Sequence, residues 1–197
     1  MKPLLIDFED SFTYNIASEL HLVGLECEVI HWRKFFENFE RNEFEKKTKM
    51  IILGPGPGHP DEYQIMIPLI QKMIAEQKVF LLGICLGHQL IWQAMGLRAE
   101  VSANPVHGQA VDFRVPTWFD FFPESLHQHL IKVQRYNSLF VPYDQALVKK
   151  MGAKTVVDDG QVMASRFANC LSLQFHPESV GTSYRRFFFS GFKNFSV

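Results

Sequence analysis

The sequence predicts an α/β fold, a mostly parallel twisted sheet flanked by helices, with a small antiparallel extension in its second half. Three observations carry that expectation. Strand-length apolar runs alternate with helix-period segments through the first half of the chain, the pattern of a doubly wound sheet. Residues 83–87, Gly-Ile-Cys-Leu-Gly, pass abruptly from an apolar run into a helical pattern. The second half changes to short runs separated by turn signals, Asp158-Asp159-Gly160 among them, which read as antiparallel strands and hairpins.

In chain order, residues 4–7 read as a short buried strand. A helix begins at Ser11, because Phe12, Ile16, Leu20 and Val23 recur at helical spacing; Asp10 or Ser11 can cap it and Gly24 ends it. Residues 26–32 alternate well enough for a second strand, and residues 35–47 form a charged, aromatic-bearing stretch of no assigned form. Residues 50–53 make a third strand, which runs into Gly54-Pro55-Gly56-Pro57-Gly58-His59-Pro60, a loop that can be neither helix nor strand. Residues 63–76 read as a helix whose buried side is Ile65, Ile67, Leu69, Ile70 and Ile74. Residues 79–84 are a buried strand, and a helix starts at Gly87.

The short strands of the second half fall at residues 110–115, 130–133, 155–157 and 162–167. Residues 171–175 are a last apolar strand ending in His176-Pro177-Glu178-Ser179, and residues 184–195 read as an aromatic-rich amphipathic helix. No repeat, low-complexity tract or linker interrupts the pattern, so residues 1–197 are expected to form a single domain.

Bulk properties narrow the function classes. Of 197 residues, 47% are hydrophobic and 21% charged, ordinary for a globular chain able to bury a core without staples. A net charge of -1 gives no electrostatic case for nucleic acid or an anionic membrane surface. The phenylalanine clusters at 35–36, 121–122 and 187–189 are far shorter than the roughly 18 apolar residues of a membrane span. Asp7, Glu9 and Asp10 follow the first apolar run at once, a pattern no secretory signal fits. Cys27, Cys85 and Cys170 are widely spaced, with no C-x-x-C pair, so neither a disulfide framework nor a structural zinc site is suggested and a reducing, cytoplasmic setting is expected. No metal or cofactor is expected.

Cys85 is the candidate centre of the chemistry. A cysteine between glycines at a strand-to-helix turn has the logic of the nucleophile elbow, in which the central residue is held in a strained conformation at a strand tip. Glycines on either side remove side chains that would clash there. The unpaired N–H groups and positive end of the following helix favour negative charge on the sulfur. The bland alternative is a small apolar core residue, the usual state of a free cysteine; the flanking glycines and the strand-to-helix switch turn the reading of Cys85 against it.

A cysteine nucleophile needs a base that takes its proton and returns it to a leaving group. His176 is the candidate among eight histidines, because it leaves an apolar strand at the sheet edge where Cys85 is expected. Glu178, two residues on, can fix the imidazole tautomer as the third member of a triad. His88 belongs to the elbow helix and His59 to a proline-bound loop, and both read as structural or peripheral. Acyl transfer also needs donors for an oxyanion, and the backbone N–H groups of Leu86 and of Gly56 in the glycine-rich loop are placed for it. That loop ends in His59-Pro60 instead of Gly-Lys-Ser/Thr, so it does not read as a phosphate cradle.

Together, Gly-Ile-Cys-Leu-Gly-His-Gln, Gly-Pro-Gly-Pro-Gly and Phe-His-Pro-Glu-Ser resemble the class I, triad-type glutamine amidotransferases over essentially the whole chain. Asp10-Ser11-Phe12-Thr13-Tyr14-Asn15 and Gln134-Arg135-Tyr136-Asn137-Ser138-Leu139 are similar to the chorismate-using branch, the glutaminase components of anthranilate synthase and aminodeoxychorismate synthase. The resemblance implies hydrolysis of L-glutamine to glutamate by Cys85, His176 and Glu178, with ammonia passed along an enclosed route to a large synthase subunit. It also implies that Gln89 and the Ser138-Leu139 backbone hold the amino acid end of glutamine and that Gly58 lines the pocket. Two departures stand out: Asn137 occupies a place usually held by histidine, and Gln109-Ala110 follows His107-Gly108 where Lys and Ser or Thr are usual. Alternatives within the same fold are an amidotransferase of another biosynthetic pathway and a non-catalytic regulatory subunit.

Overall fold

The computed structural model describes residues 2–40 and 48–191. Its first half is β1 (Leu4–Asp7), α1 (Thr13–Leu22), β2 (Glu28–His31), α2 (Trp32–Glu40), β3 (Met50–Leu53), a 3₁₀ helix (Pro60–Met66), α3 (Ile67–Glu76), β4 (Phe80–Ile84) and α4 (Leu86–Ala94). There follow β5 (Glu100–Val101), β6 (Gln109–Arg114), β7 (Leu130–Arg135), β8 (Leu139–Phe140), α5 (Gln145–Met151), β9 (Lys154–Asp158), β10 (Gln161–Phe167), β11 (Cys170–Leu173) and α6 (Arg185–Ser190).

The main sheet has the order β2-β1-β3-β4-β11-β10-β9. β2, β1, β3, β4 and β11 pair in parallel, and β10 and β9 add an antiparallel end. This is the expected mostly parallel sheet with an antiparallel extension. Parallel strands covered on both faces need apolar side chains on both, and β1 and β3 supply them. Leu4, Ile6, Ile51 and Leu53 face one core with α2, α3 and α4, while Leu5, Met50 and Ile52 face a second with α1 and α6. In that second core Phe119, Phe121 and Phe122 pack against Phe188, with ring centroids between 4.7 and 6.2 Å apart, so the 121–122 and 187–189 clusters of the sequence meet in space, while Phe35 lies in the first core.

The β9–β10 hairpin follows its turn chemistry. Asp158 pairs with Gln161, and the two residues between them have φ +47° at Asp159 and +70° at Gly160, the two-residue turn that Asp-Gly favours. β6 and β7 pair antiparallel as a ribbon outside the main sheet.

Several elements differ from the sequence reading. The second strand stops at His31 and Trp32 already belongs to α2, whose Trp32 and Phe35 are buried; the rest of residues 35–47, from 41 onward, lies outside the described residues. The expected helix over 63–76 is two pieces, a 3₁₀ segment opened by proline, within which Tyr63 departs from helical geometry, and then α3. Neither Asp10 nor Ser11 caps α1. Asp10 instead accepts from the Phe12 amide, and Asp7 from the Thr13 hydroxyl, so the turn before the helix is held by aspartates. Helix α5 carries little apolar periodicity; Asp144 caps it and Gly152 ends it at φ +62°. The last helix begins only at Arg185, because Tyr184 sits at φ +56°, and residues 192–195 lie outside the described residues. No helix among the described residues is long and apolar enough to cross a membrane.

The carboxyl ends of β1, β3, β4 and β11 converge where the strand order switches, the usual place for sites in such sheets. Helix α4 is set tightly against them. A Cβ on Gly87 would lie 2.1 Å from the Leu53 carbonyl oxygen, and one on Gly83 2.6 Å from the Gly87 carbonyl oxygen. Gly87→Ala is therefore expected to lower the unfolding free energy by about 3 kcal/mol or more, read as a shifted urea midpoint; an unchanged midpoint would contradict this packing.

Candidate active site

Cys85 lies between β4 and α4 at φ +52° and ψ −102°, a conformation L-residues avoid. It is held from both sides. Its N–H donates to the Leu173 carbonyl of β11 at 2.9 Å, and its own carbonyl accepts from the Gln89 amide at 3.1 Å as α4 begins. The side chain is half-buried, whereas Cys170 is fully buried and burial pushes its thiol up to about 12. Burial is also the main cause raising Cys27.

His176 follows β11 and is almost wholly buried. Its N–H donates to the Gln134 carbonyl at 2.9 Å, and its carbonyl accepts from the Thr182 hydroxyl at 2.7 Å. The rings of Phe12 and Tyr136 flank the imidazole, each with its centroid 5.0 Å away. Nδ1 lies 2.6 Å from Glu178 Oε1. A carboxylate only accepts, so Nδ1 carries the proton, and Nε2 is the nitrogen left to interact with the Cys85 sulfur. Burial alone would lower this histidine. The Glu178 carboxylate, the Cys85 sulfur and the hydrogen bonds to both outweigh it and raise the imidazole well above its usual range.

The sulfur opens into a cavity of about 170 Å³ lined by Gly56, Pro57, Gly58, Cys85, Leu86, Gln89 and residues 136–139. The structure thus brings all nine expected site residues to one place. The backbone N–H groups of Leu86 and Gly56 have no hydrogen-bond partner among the described residues, and both residues border the sulfur's cavity. Gly56 has no room for a side chain: a Cβ would lie 2.4 Å from Leu86 and 2.6 Å from Phe8. The arrangement has the parts for acyl transfer, namely a sulfur open to a cavity, an imidazole oriented by a carboxylate, and free amides on residues that border the same pocket.

The class-I glutamine amidotransferase family matches residues 4–195. The chain belongs to that family. Anthranilate synthase component 2, pyocyanine specific, of Pseudomonas aeruginosa is 30% identical over 187 residues, covering 93% of this chain and 88% of that one. Aminodeoxychorismate synthase of Streptomyces griseus is 34% identical over 92% of this chain and 24% of its own length. A glutamine amidotransferase of Thermotoga maritima superimposes with a TM-score of 0.62 at 16% identity, covering 90% of this chain and 76% of that one, a likeness of fold. As a class-I glutamine amidotransferase the chain is an enzyme of the glutaminase type.

Gln174 escaped the sequence reading of this amidotransferase's site, as did the bonds made there by Asn137 and Tyr136. Gln174 is fully buried, with Nε2 3.8 Å from Cys85 Sγ. Asn137 accepts from Arg135 Nε at 3.0 Å and donates to the Leu139 carbonyl at 2.8 Å. Tyr136 shares a hydrogen bond with Ser179 at 2.9 Å. The signal was a period of two: Ser172, Gln174 and His176 interrupt the otherwise apolar residues 170–176 on one face. A single polar residue in a buried strand is an anomaly, but three in alternation mark a polar interior.

His88 and His59 keep the structural roles expected of them. His59 closes a capping box on the 3₁₀ helix, its ring accepting from the Asp61 amide and its N–H donating to Glu62. His88 is fully buried with Nδ1 2.8 Å from Ser172 Oγ, and burial lowers it to about 3. No group of three or more potential metal ligands occurs among the described residues.

The two buried histidines give stability opposite dependences on pH. An unfolded histidine takes up its proton near pH 6.5, whereas His88 resists until about 3, so its share of stability is present above 6.5 and is lost as pH falls. His176 is raised, so its share is present below 6.5 and is lost as pH rises through its folded value. Between pH 7 and 5 the protein should lose about 2 kcal/mol more than His88→Gln does, measured by urea unfolding; equal losses would contradict the assignment.

Proposed function

We propose that this amidotransferase hydrolyses L-glutamine through a Cys85–His176–Glu178 triad and supplies the ammonia to a chorismate-using synthase, of the anthranilate or aminodeoxychorismate kind. The observation that carries the reading is Cys85 at a positive φ, acting on a buried imidazole whose Nδ1 is held by a buried carboxylate. The Cys85 thiolate attacks the side-chain amide carbon, and the amides of Leu86 and Gly56 receive the oxyanion. His176 Nε2 protonates the departing ammonia, then takes a proton from the water that cleaves the glutamyl thioester. Glu178 keeps Nδ1 protonated and steadies the imidazolium between these steps.

The small, polar cavity suits a small polar molecule. Gln89 and the Ser138-Leu139 backbone bind the amino acid end of glutamine, and Gly58 lines the wall. Gln89 Nε2 is already engaged by the Leu139 carbonyl at 3.0 Å, so its contribution to substrate is through Oε1 or through the Leu139 segment that it holds. The chorismate-using partner is favoured by the relatives named as anthranilate and aminodeoxychorismate synthases and by the 10–15 segment, where Phe12 packs directly on His176.

A glutamine-derived chloroketone is expected to label Cys85 alone, located by peptide mass; labelling of Cys27 or Cys170 would overturn the assignment. Co-purification followed by a chorismate assay tests the partner. With the cognate synthase, Cys85→Ala should abolish glutamine-dependent product and leave ammonia-dependent product intact. Glutaminase activity indifferent to every chorismate-using synthase would move the enzyme to another pathway.

A further inference from the structure

The hydrogen bonds behind the cysteine single out Gln174. It stands two residues before His176, at the end of β11, with no exposed surface. Its Nε2 lies 3.8 Å from Cys85 Sγ, within reach of a sulfur acceptor, and its Oε1 accepts from Gln89 Nε2 at 3.2 Å. The orientation of each amide is fixed by groups with a single hydrogen-bonding role. The Arg135 guanidinium only donates, so Asn137 turns Oδ1 to it and Nδ2 to the Leu139 carbonyl. That carbonyl only accepts, so Gln89 also turns Nε2 to it. The same NH₂ meets Gln174 Oε1, which leaves Gln174 Nε2 facing the sulfur. Reversing Gln174 would oppose two NH₂ groups and set a carbonyl oxygen against Cys85.

Every dipole in this chain therefore presents its donor end toward the sulfur or toward the carbonyl beside it. At its far end Arg135 is buried, makes no ion pair among the described residues, and is held by Asn137 and by Gln161 Oε1 at 2.6 Å. The Arg135–Asn137 donors end on the Leu139 carbonyl, and the Gln89–Gln174 pair ends on the sulfur, where its last donor favours negative charge.

We propose that Gln174 is a further catalytic residue of this enzyme: its Nε2–H holds the anionic Cys85 sulfur in a hydrogen bond separate from that of His176, and Gln89 ties this donor to the pocket wall at Leu139. The proposal rests on Cys85 being the nucleophile. It acts at two moments. Before attack it stabilises the thiolate. When the oxygen of water bonds to the acyl carbon and the C–S bond breaks, the electron pair returns to sulfur and meets the same donor.

The other titratable groups that act on the sulfur are His176, with Glu178 behind it, from the segment after β11, and Arg135 from β7. Tyr136 borders the cavity, His88 of α4 is engaged with Ser172, and Gly56, Pro57 and Gly58 bring no charge. A pH profile of Cys85 reactivity in which only Gln174 is changed therefore isolates its donor.

The test is the rate of Cys85 alkylation by iodoacetamide, followed by peptide mass from pH 4 to 10 (a span of about six units around the usual thiol and imidazole ranges). Gln174→Met keeps the length and removes the donor. Its profile is expected to move to higher pH by about one unit, the worth of a hydrogen bond to a charged group, and that of Gln174→Glu further in the same direction. Profiles superimposable on wild type, with Cys85 the alkylated residue in each, would overturn the proposal. Alkylation at Cys27 or Cys170 in the wild type would instead remove the nucleophile assignment beneath it. Should the variants not fold, the side-chain amide protons of Gln174 in ¹⁵N-labelled wild type decide: they should shift with the midpoint of Cys85 alkylation, and immobility through that midpoint would overturn the proposal.

Discussion

The first turn of α4 presses so closely on β3 and β4 that Gly83 and Gly87 have no space for a methyl group. Much of the site depends on this approach. It forces the chain at Cys85 into a positive φ, points the sulfur away from the sheet, and brings the start of a helix, with its unpaired amides, beside the glycine-rich loop that follows β3. The strain at Cys85 costs of order 1–3 kcal/mol and persists because the Cys85 N–H is bonded to β11 and its carbonyl to Gln89. The same β11 then delivers Gln174 and His176 to the sulfur, so one parallel strand both anchors the elbow and furnishes its partners.

Burial gives the polar residues their opposite behaviours. His88 is the simpler case: it has a neutral hydroxyl for a partner, and the apolar surroundings hold it neutral. His176 is as buried, yet it lies between a carboxylate and a sulfur, so attraction exceeds the desolvation cost and the cation is favoured. The difference is the partner: a carboxylate, Glu178, two residues along the chain at 2.6 Å for His176, against the hydroxyl of Ser172 at 2.8 Å for His88.

The parallel sheet, the β9–β10 turn and the convergence of Cys85, His176, Glu178 and the 54–60 loop were legible in the sequence, because each rests on local rules: apolar runs, Asp-Gly chemistry, glycines at a strand-to-helix switch. What was not legible depended on partners far away in the chain. Helix α5 is fixed by an Asp144 cap and a single buried face resting on the sheet, and Trp32 joins α2 because its ring packs on Tyr63, 5.2 Å distant. Gln174 and Asn137 gain meaning only when β7, α4 and β11 meet. Asn137 donates to the Leu139 carbonyl and so helps to hold the pocket wall.

The central claim is that glutamine is opened by the Cys85 sulfur. Mass analysis of acid-quenched enzyme during turnover of L-glutamine addresses it most directly. A glutamyl adduct is expected on the peptide bearing Cys85, released by hydroxylamine and absent from Cys85→Ala. Turnover that persists in Cys85→Ala, or an adduct on another residue, would contradict it.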